Sequence, residues 1–203
     1  MNSLIKEVGS KSVIAALGFV IRHIDNYGAE CFVSLKSIEL FRIRPLSRFA
    51  VRVRYDQATD LLEMYNKNGL IPFEPAILDL DCGVRILFPP VVEEWEHGCF
   101  VIDGIHRLLA ARSRQIQSVM CIVVSSPYLP MLPCEACSWD DLRLEDEQRS
   151  LSEVLPNLDL NLFRPMNDLM KQIDSTYTNR QSALQMVKQW SNSQNYKREK
   201  SNE

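Results

Sequence analysis

The sequence predicts an α+β fold, a small mixed sheet with helices, preceded by an amphipathic helix and followed by a helical extension. Three observations carry this reading. Segments of helical period alternate with short apolar runs; Val119 to Val124 is apolar throughout and rich in β-branched residues, as in a strand buried on both faces; and Phe100-Val101-Ile102 leads through Asp103-Gly104 straight into a helical pattern. With 203 residues, 46% of them apolar and 24% charged, the chain can bury one well-packed core and still carry an appendage.

Taken in order, Val13, Leu17, Val20, Ile21 and Ile24 recur at helical spacing, with Ser10 or Ser12 placed to cap and Gly28 just past the end. A helix over 11–26 is expected. Cys31, Phe32, Val33 and Leu35 suggest a short strand, and Pro45 marks a turn inside an arginine-rich stretch of Arg42, Arg44, Arg48, Arg52 and Arg54. Ala58, Leu61, Leu62 and Tyr65 place a helix over 55–68, ending where Gly69 can supply a left-handed C-cap. Pro72 and Pro75 bracket a loop. Ala76 to Leu80 then reads as a strand, Asp81-Cys82-Gly83 as a tight turn and Arg85 to Phe88 as the returning strand. Glu93-Glu94-Trp95-Glu96-His97 reads as an acidic loop, either plain surface or a cover for a neighbouring pocket. Ile105, Leu108 and Leu109 open a helix that continues through Ala110 and Ala111 to the region of Arg114.

After Pro127 the character changes. Pro127, Pro130 and Pro133 are followed by an acidic block (Glu135, Asp140, Asp141, Glu145, Asp146, Glu147, Glu153, Asp159) opposed only by Arg143 and Arg149. Pro165 can start a helix carrying Leu169, Met170 and Ile173, and Ala183, Leu184, Val187 and Trp190 suggest another. The expected organisation is an N-terminal helix in 1–30, a core in 31–127, an acidic and mainly helical extension in 128–190, and a disordered tail in 191–203.

Charge and cysteine usage narrow the function classes. Twenty-three basic against 26 acidic residues give −3, so no sequence-wide positive field exists to hold a phosphate backbone, and DNA is not the favoured partner. The longest apolar run, Val13 to Ile21, is less than half a membrane crossing, and Arg22, His23, Asp25 and Asn26 follow it without a small-residue cleavage pattern. A cytoplasmic protein with no membrane partner is expected. The six cysteines (Cys31, Cys82, Cys99, Cys121, Cys134, Cys137) are scattered, as free thiols of a reducing compartment would be. Cys134-Glu-Ala-Cys137 has the spacing of half a zinc site or of a redox pair, with no second Cys or His pair at suitable spacing, and His23 and His97 stand alone.

The stretch that carries chemistry is Phe100-Val-Ile-Asp-Gly-Ile-His-Arg-Leu-Leu-Ala-Ala-Arg112. A strand running into glycine and then a helix makes an anion site: unpaired N–H groups face the end of the helix, its dipole is positive there, and Gly104 lets a phosphate approach the backbone. Arg107 adds a fixed charge with a bidentate fork, and His106 can donate to a phosphate oxygen. The alternative is an ordinary strand-to-helix junction, with Asp103 capping, Arg107 solvated and His106 at the helix edge.

These residues and their surroundings resemble the superfamily that unites the amino-terminal domain of ParB partition proteins with sulfiredoxin and the free-serine kinases. The resemblance spans roughly Phe32 to Pro127. It takes in Val33-Ser-Leu-Lys-Ser-Ile38 as opening strand, Asn68-Gly69-Leu70-Ile71-Pro72 after a helix, the Ala76 to Phe88 hairpin, the D-G-x-H-R signature at Asp103 to Arg107, and the closing strand Ser118 to Val124. It implies a ParB/sulfiredoxin-like core with Gly104, Ile105, His106 and Arg107 as the nucleotide phosphate loop. Sulfiredoxins carry their reactive cysteine at the position of Ile105, and isoleucine forms no thiolate, so sulfinic acid repair is not implied; Cys99 is the neighbouring thiol. Partition proteins carry Gly-Glu-Arg-Arg here and a DNA-binding helix-turn-helix afterwards, where this chain is acidic.

The free-serine kinases are similar in also having an aspartate before the glycine, which implies a role for Asp103 in holding Mg or accepting a hydroxyl proton during phosphoryl transfer. They also use an early glutamate, for which Glu39 and Glu74 are the candidates. By the same resemblance the arginine cluster faces the nucleotide from the other side, with Arg44 or Arg48 as a phosphate clamp. Two functions follow as expectations. One is phosphoryl transfer or nucleotide hydrolysis with ATP or ADP, Mg and a small-molecule phosphoryl acceptor, no further metal ligand being assigned. The other is a non-catalytic nucleotide-binding module or switch in a DNA-related assembly for partition, modification or defence. Either accommodates self-association or a protein partner through the terminal helices.

Overall fold

The computed structural model describes residues 3–6, 21, 27, 31–81, 83–126, 129, 131–164, 166, 181, 182 and 185. The helix expected over 11–26, the two expected after Pro165 and the expected tail lie outside this set apart from isolated residues, as does Cys82. So do the segments to which self-association was assigned.

Ten strands and three α-helices are described in the order β1 (Ser3–Lys6), β2 (Phe32–Glu39), β3 (Ile43–Arg44), β4 (Phe49–Val51), α1 (Arg52–Lys67), β5 (Ala76–Leu80), β6 (Gly83–Leu87), β7 (Val91–Trp95), β8 (Gly98–Asp103), α2 (Ile105–Ser113), β9 (Ser118–Ser125), β10 (Arg143–Glu145) and α3 (Leu151–Val154). The central sheet runs β2-β9-β7-β8-β3. It is mixed: β2 with β9 and β7 with β8 are antiparallel, whereas β7 with β9 and β3 with β8 are parallel. A second antiparallel sheet, β1-β5-β6, contains the hairpin expected over 76–88. The α+β class read from the sequence is the observed one.

Strand β9 explains why the core closes around this sheet. Val119, Cys121 and Val123 point to one face, where they pack with Ala58, Leu62 and Tyr65 of α1 and Leu108, Ala110 and Ala111 of α2. Ile122 and Val124 point to the other, among Ile77, Val84, Ile86 and Phe88. A strand covered on both faces has no polar side to show, hence its unbroken apolar run. Helix α1 ends as expected, with Gly69 in the left-handed region at φ 63°.

Three expectations are corrected. The acidic segment 93–97 is not a loop, because Val91 to Trp95 form β7, a central strand of the sheet, and Glu93 is fully buried. Its carboxylate accepts from Arg164 Nε at 2.9 Å, Tyr27 Oη at 2.6 Å and Trp95 Nε1 at 3.1 Å, so a charge that reads as solvent-facing is paired inside. The arginine-rich stretch contributes two short strands, β3 and β4, and the first turn of α1 rather than a turn alone. Within the described part of the extension, 131–164, helical structure amounts to the four-residue α3 and two single 3-10 turns, so this part is not mainly helical. It also supplies β10, which pairs in parallel with β4.

Candidate functional site

Strand β8 ends at Asp103, and Gly104 turns the chain into α2 in the left-handed region at φ 91°. No side chain caps α2, and its ladder opens with Leu108 N–H to the Gly104 carbonyl at 3.1 Å, so the amides of Ile105, His106 and Arg107 precede the ladder. Glycine is required here twice over. Besides the positive φ, a Cβ at 104 would lie 2.8 Å from Pro90 Cβ and 2.9 Å from Arg107 Nη2. The residue that the sequence offers as room for a phosphate is also the one that lets Pro90 and the Arg107 guanidinium close on the backbone.

Arg107 folds back over the turn. Its Nη2 donates to Asp103 Oδ2 at 3.0 Å, and its Nη1 donates to the Phe88 carbonyl. Both members of the ion pair are about one-fifth exposed, at 21% and 20%, so neither is fully withdrawn from solvent. Asp103 therefore serves as counter-ion to Arg107 rather than as helix cap.

His106 turns inward from the same turn. Its Nε2 accepts the backbone N–H of Val51 at 2.9 Å, the last residue of β4 and N-cap of α1. Burial, with the positive charge of Arg54 and then Arg107, pushes the imidazole pKa down to about 4, against an opposing pull from Asp103. At neutral pH the ring is uncharged. Because Nε2 is an acceptor, its one proton sits on Nδ1, and that N–H is the donor His106 has left to offer.

This hydrogen bond joins two helix starts. Like α2, α1 has no side-chain cap and no acidic residue in its first turn, and it opens with Arg52 and Arg54. Two N-termini with unpaired amides and positive dipole ends thus meet at His106. Arg52 is paired with Asp146 at 2.7 Å, while Arg54 is exposed and has no ion-pair partner among the described residues.

The other candidates are placed elsewhere. Arg44 stacks over the Phe100 ring at 5.9 Å, and the charge of Arg48 acts on the Cys137 thiol, while its backbone ties to Val154 and Arg143 of the C-terminal segment. The arginine whose charge reaches His106 is Arg54, which sequence reasoning noticed only as part of the cluster. Glu39 is exposed at the end of β2 opposite Ser118. Glu74 spends its carboxylate on the Ile71 N–H at 3.2 Å and its carbonyl on the Tyr65 hydroxyl at 2.6 Å. Burial pushes the Tyr65 hydroxyl pKa upward; Arg107 opposes the shift and Glu74 adds to it. Cys99 is buried and its thiol is pushed up by desolvation, unlike a reactive thiolate. No group of three or more His, Cys, Asp or Glu residues among the described ones is arranged to hold a metal. Asp103 offers a single carboxylate, one oxygen of which Arg107 holds.

No family model matches the chain, and no curated protein matches it. Among solved structures, C-terminally truncated SbnI from Staphylococcus aureus aligns with a TM-score of 0.30 and 20% identity over 49% of this chain and 31% of that one. Protein Atu1540 from Agrobacterium tumefaciens aligns with a TM-score of 0.31 and 13% identity over 46% of this chain and 40% of that one. The alignments span less than half the length of either relative, and likeness of this degree bears on neither family nor function. No helix among the described residues is long and apolar enough to cross a membrane.

Proposed function

We propose that this chain binds the phosphates of a nucleotide, ATP or ADP in preference, at the turn Asp103 to Arg107. One observation carries the reading: two uncapped helix N-termini joined through Val51 N–H and His106 Nε2, with Arg107 in the first turn of one and Arg54 in the first turn of the other. The amides of residues 105–107, the Nδ1–H of His106 and the remaining N–H groups of Arg107 and Arg54 are the donors a phosphate chain needs. The nucleotide as guest rests on the D-G-x-H-R resemblance. Mg fits here as the companion of a nucleotide, since the chain contributes one carboxylate and the phosphates would supply the other oxygens.

Phosphoryl transfer is the second reading, favoured by Asp103. Arg107 fixes one of its oxygens and leaves the other for Mg or for the hydroxyl of a small-molecule acceptor. Without such transfer the same site serves as a binding switch, including one within a DNA-related assembly.

Calorimetric titration with ATP, ADP, CTP and GTP, with and without Mg, tests both. Arg107→Ala is expected to weaken nucleotide binding roughly 10- to 100-fold, the size of a lost charge-assisted hydrogen bond. Arg54→Ala weakens it less, and Arg44→Ala leaves it unchanged. Retained affinity in Arg107→Ala would remove this turn as the site. If the wild type turns over ATP with Mg and Asp103→Asn binds but does not, the chain is a phosphotransferase or hydrolase; binding without turnover in both makes it a module.

A further inference from the structure

Cys134 and Cys137 lie where the C-terminal segment crosses the turn between β3 and β4. Both thiols donate to a single acceptor, the Leu46 carbonyl, at 3.6 Å from Cys134 Sγ and 3.7 Å from Cys137 Sγ. Two sulfurs each within 3.7 Å of one oxygen are near each other. Only Glu135 and Ala136 separate them in sequence. The contact ties the two segments together: the Cys137 N–H donates to the Pro45 carbonyl at 2.8 Å, and Leu46, Phe100, Cys134 and Leu155 form one small apolar cluster.

The two thiols differ in readiness to react. Burial, with the neighbouring Cys137, pushes Cys134 up to about 11. Cys137 is raised by burial too, and the positive charge of Arg48 opposes the rise. Cys137 is buried like Cys134, with exposed Glu135 and Ser138 close to it in sequence. A thiol whose neighbouring cation opposes the effect of burial, with a second thiol beside it, supplies the two parts of a dithiol redox pair.

We propose that Cys134 and Cys137 form a reversible disulfide, a redox site distinct from the nucleotide turn. The oxidant is a low-molecular-weight disulfide. The Cys137 thiolate attacks one of its sulfurs, forming a mixed disulfide and releasing one small thiolate; Cys134 then attacks the Cys137 sulfur, closing the internal S–S bond and releasing the second. Two electrons pass to the oxidant, and the protons of Cys134 and Cys137 end on the two thiols released. Closure withdraws both S–H donors from the Leu46 carbonyl, so the tie between the C-terminal segment and the β3–β4 turn changes with redox state.

Glu135 makes the test specific, because cleavage after it separates the two cysteines. The native chain is incubated with oxidised glutathione, quenched by alkylation, and cut with a glutamate-specific protease; Ala136 to Glu145 contains Cys137 as its sole cysteine. The expected result is that this fragment stays linked to the one carrying Cys134, and that reduction releases it. Fully alkylated, unlinked fragments from the native chain, with linkage appearing only when oxidation is done in denaturant, would overturn the proposal. So would a link that persists in Cys134→Ser, which would assign the partner of Cys137 to another cysteine. The fragment His97 to Glu135 carries Cys99 and Cys121 besides Cys134, so the wild-type arm shows the link and the Cys134→Ser arm assigns it.

Discussion

Two groups of charged side chains sit on neighbouring strands, and they have opposite fates. Glu93 on β7 and its partner Arg164, from the C-terminal segment, are 0% and 1% exposed at the side chain. The Glu93 carboxylate is filled by Arg164, Tyr27 and Trp95, and Arg164 Nη1 donates to the Met131 carbonyl at 3.0 Å and to the Leu162 carbonyl. At the end of β8, Asp103 and Arg107 are also paired, yet a fifth of each stays exposed, helix amides face outward, and Arg54 stands nearby without an ion-pair partner among the described residues. The first group consumes its charges internally and fastens Tyr27 and Arg164, from either end of the chain, to the middle of the sheet. The second keeps donors in reserve. Saturation of hydrogen-bonding capacity, more than the number of charges, distinguishes a structural pin from a candidate binding site.

The comparison breaks most sharply at the pin. Arg164→Met leaves Glu93 buried without its cation, and a loss of about 3–5 kcal/mol in denaturant-unfolding free energy is expected. Pairing it with Glu93→Leu should recover much of that loss, because the uncompensated charge goes too. Nucleotide affinity of the folded fraction should not move in either variant. A cost under about 1 kcal/mol for Arg164→Met would deny the pin its role, since exposed ion pairs already reach that value.

Gly104→Ala probes the open site at its tightest point, with a smaller effect. The new Cβ meets Pro90 and the Arg107 guanidinium and must also hold a φ of 91°, so about 1–3 kcal/mol of destabilisation is expected by thermal or chemical unfolding. Nucleotide affinity should fall alongside, as Arg107 is displaced from Asp103. Full stability in Gly104→Ala would show that the turn relaxes freely and that its geometry is not prearranged.

The open site was far more legible in the sequence than the pin. Strand, glycine and helix are adjacent in the chain, and a turn of this kind is a local matter: Asp103 to Arg107 writes its own geometry. The hairpin over 76–88 and the fully apolar β9 were readable for the same reason. Glu93 misled because its partner Arg164 is 71 residues away, and without that partner Glu-Glu-Trp-Glu-His has the polarity of a loop. The helix edge of the site was half visible. Arg54 sat in a cluster of five arginines, and only the packing of α1 against α2 selects it over Arg44 and Arg48.

His106 gives the finest test of the comparison, because it reports whether the open site is desolvated and positive before any ligand arrives. Its imidazole is held near 4 in the folded chain, against about 6.5 in an unfolded one. Between those values the unfolded chain binds a proton that the folded chain refuses, so this residue makes stability fall as pH drops from about 6.5 to 4 and contributes no further change below that. Protonation would also strip Nε2 of the lone pair that accepts the Val51 N–H. Carboxylates titrate in the lower part of the same window, so the informative quantity is the difference from His106→Gln, which keeps a neutral acceptor and should show a shallower slope of unfolding free energy between pH 6.5 and 4. Bound ATP reverses the sign of the local field, since phosphate charge favours imidazolium, and should raise the His106 titration midpoint in an NMR experiment. A midpoint above 6 in the free chain would mean that the ring is solvated, and that the two helix starts do not close around it.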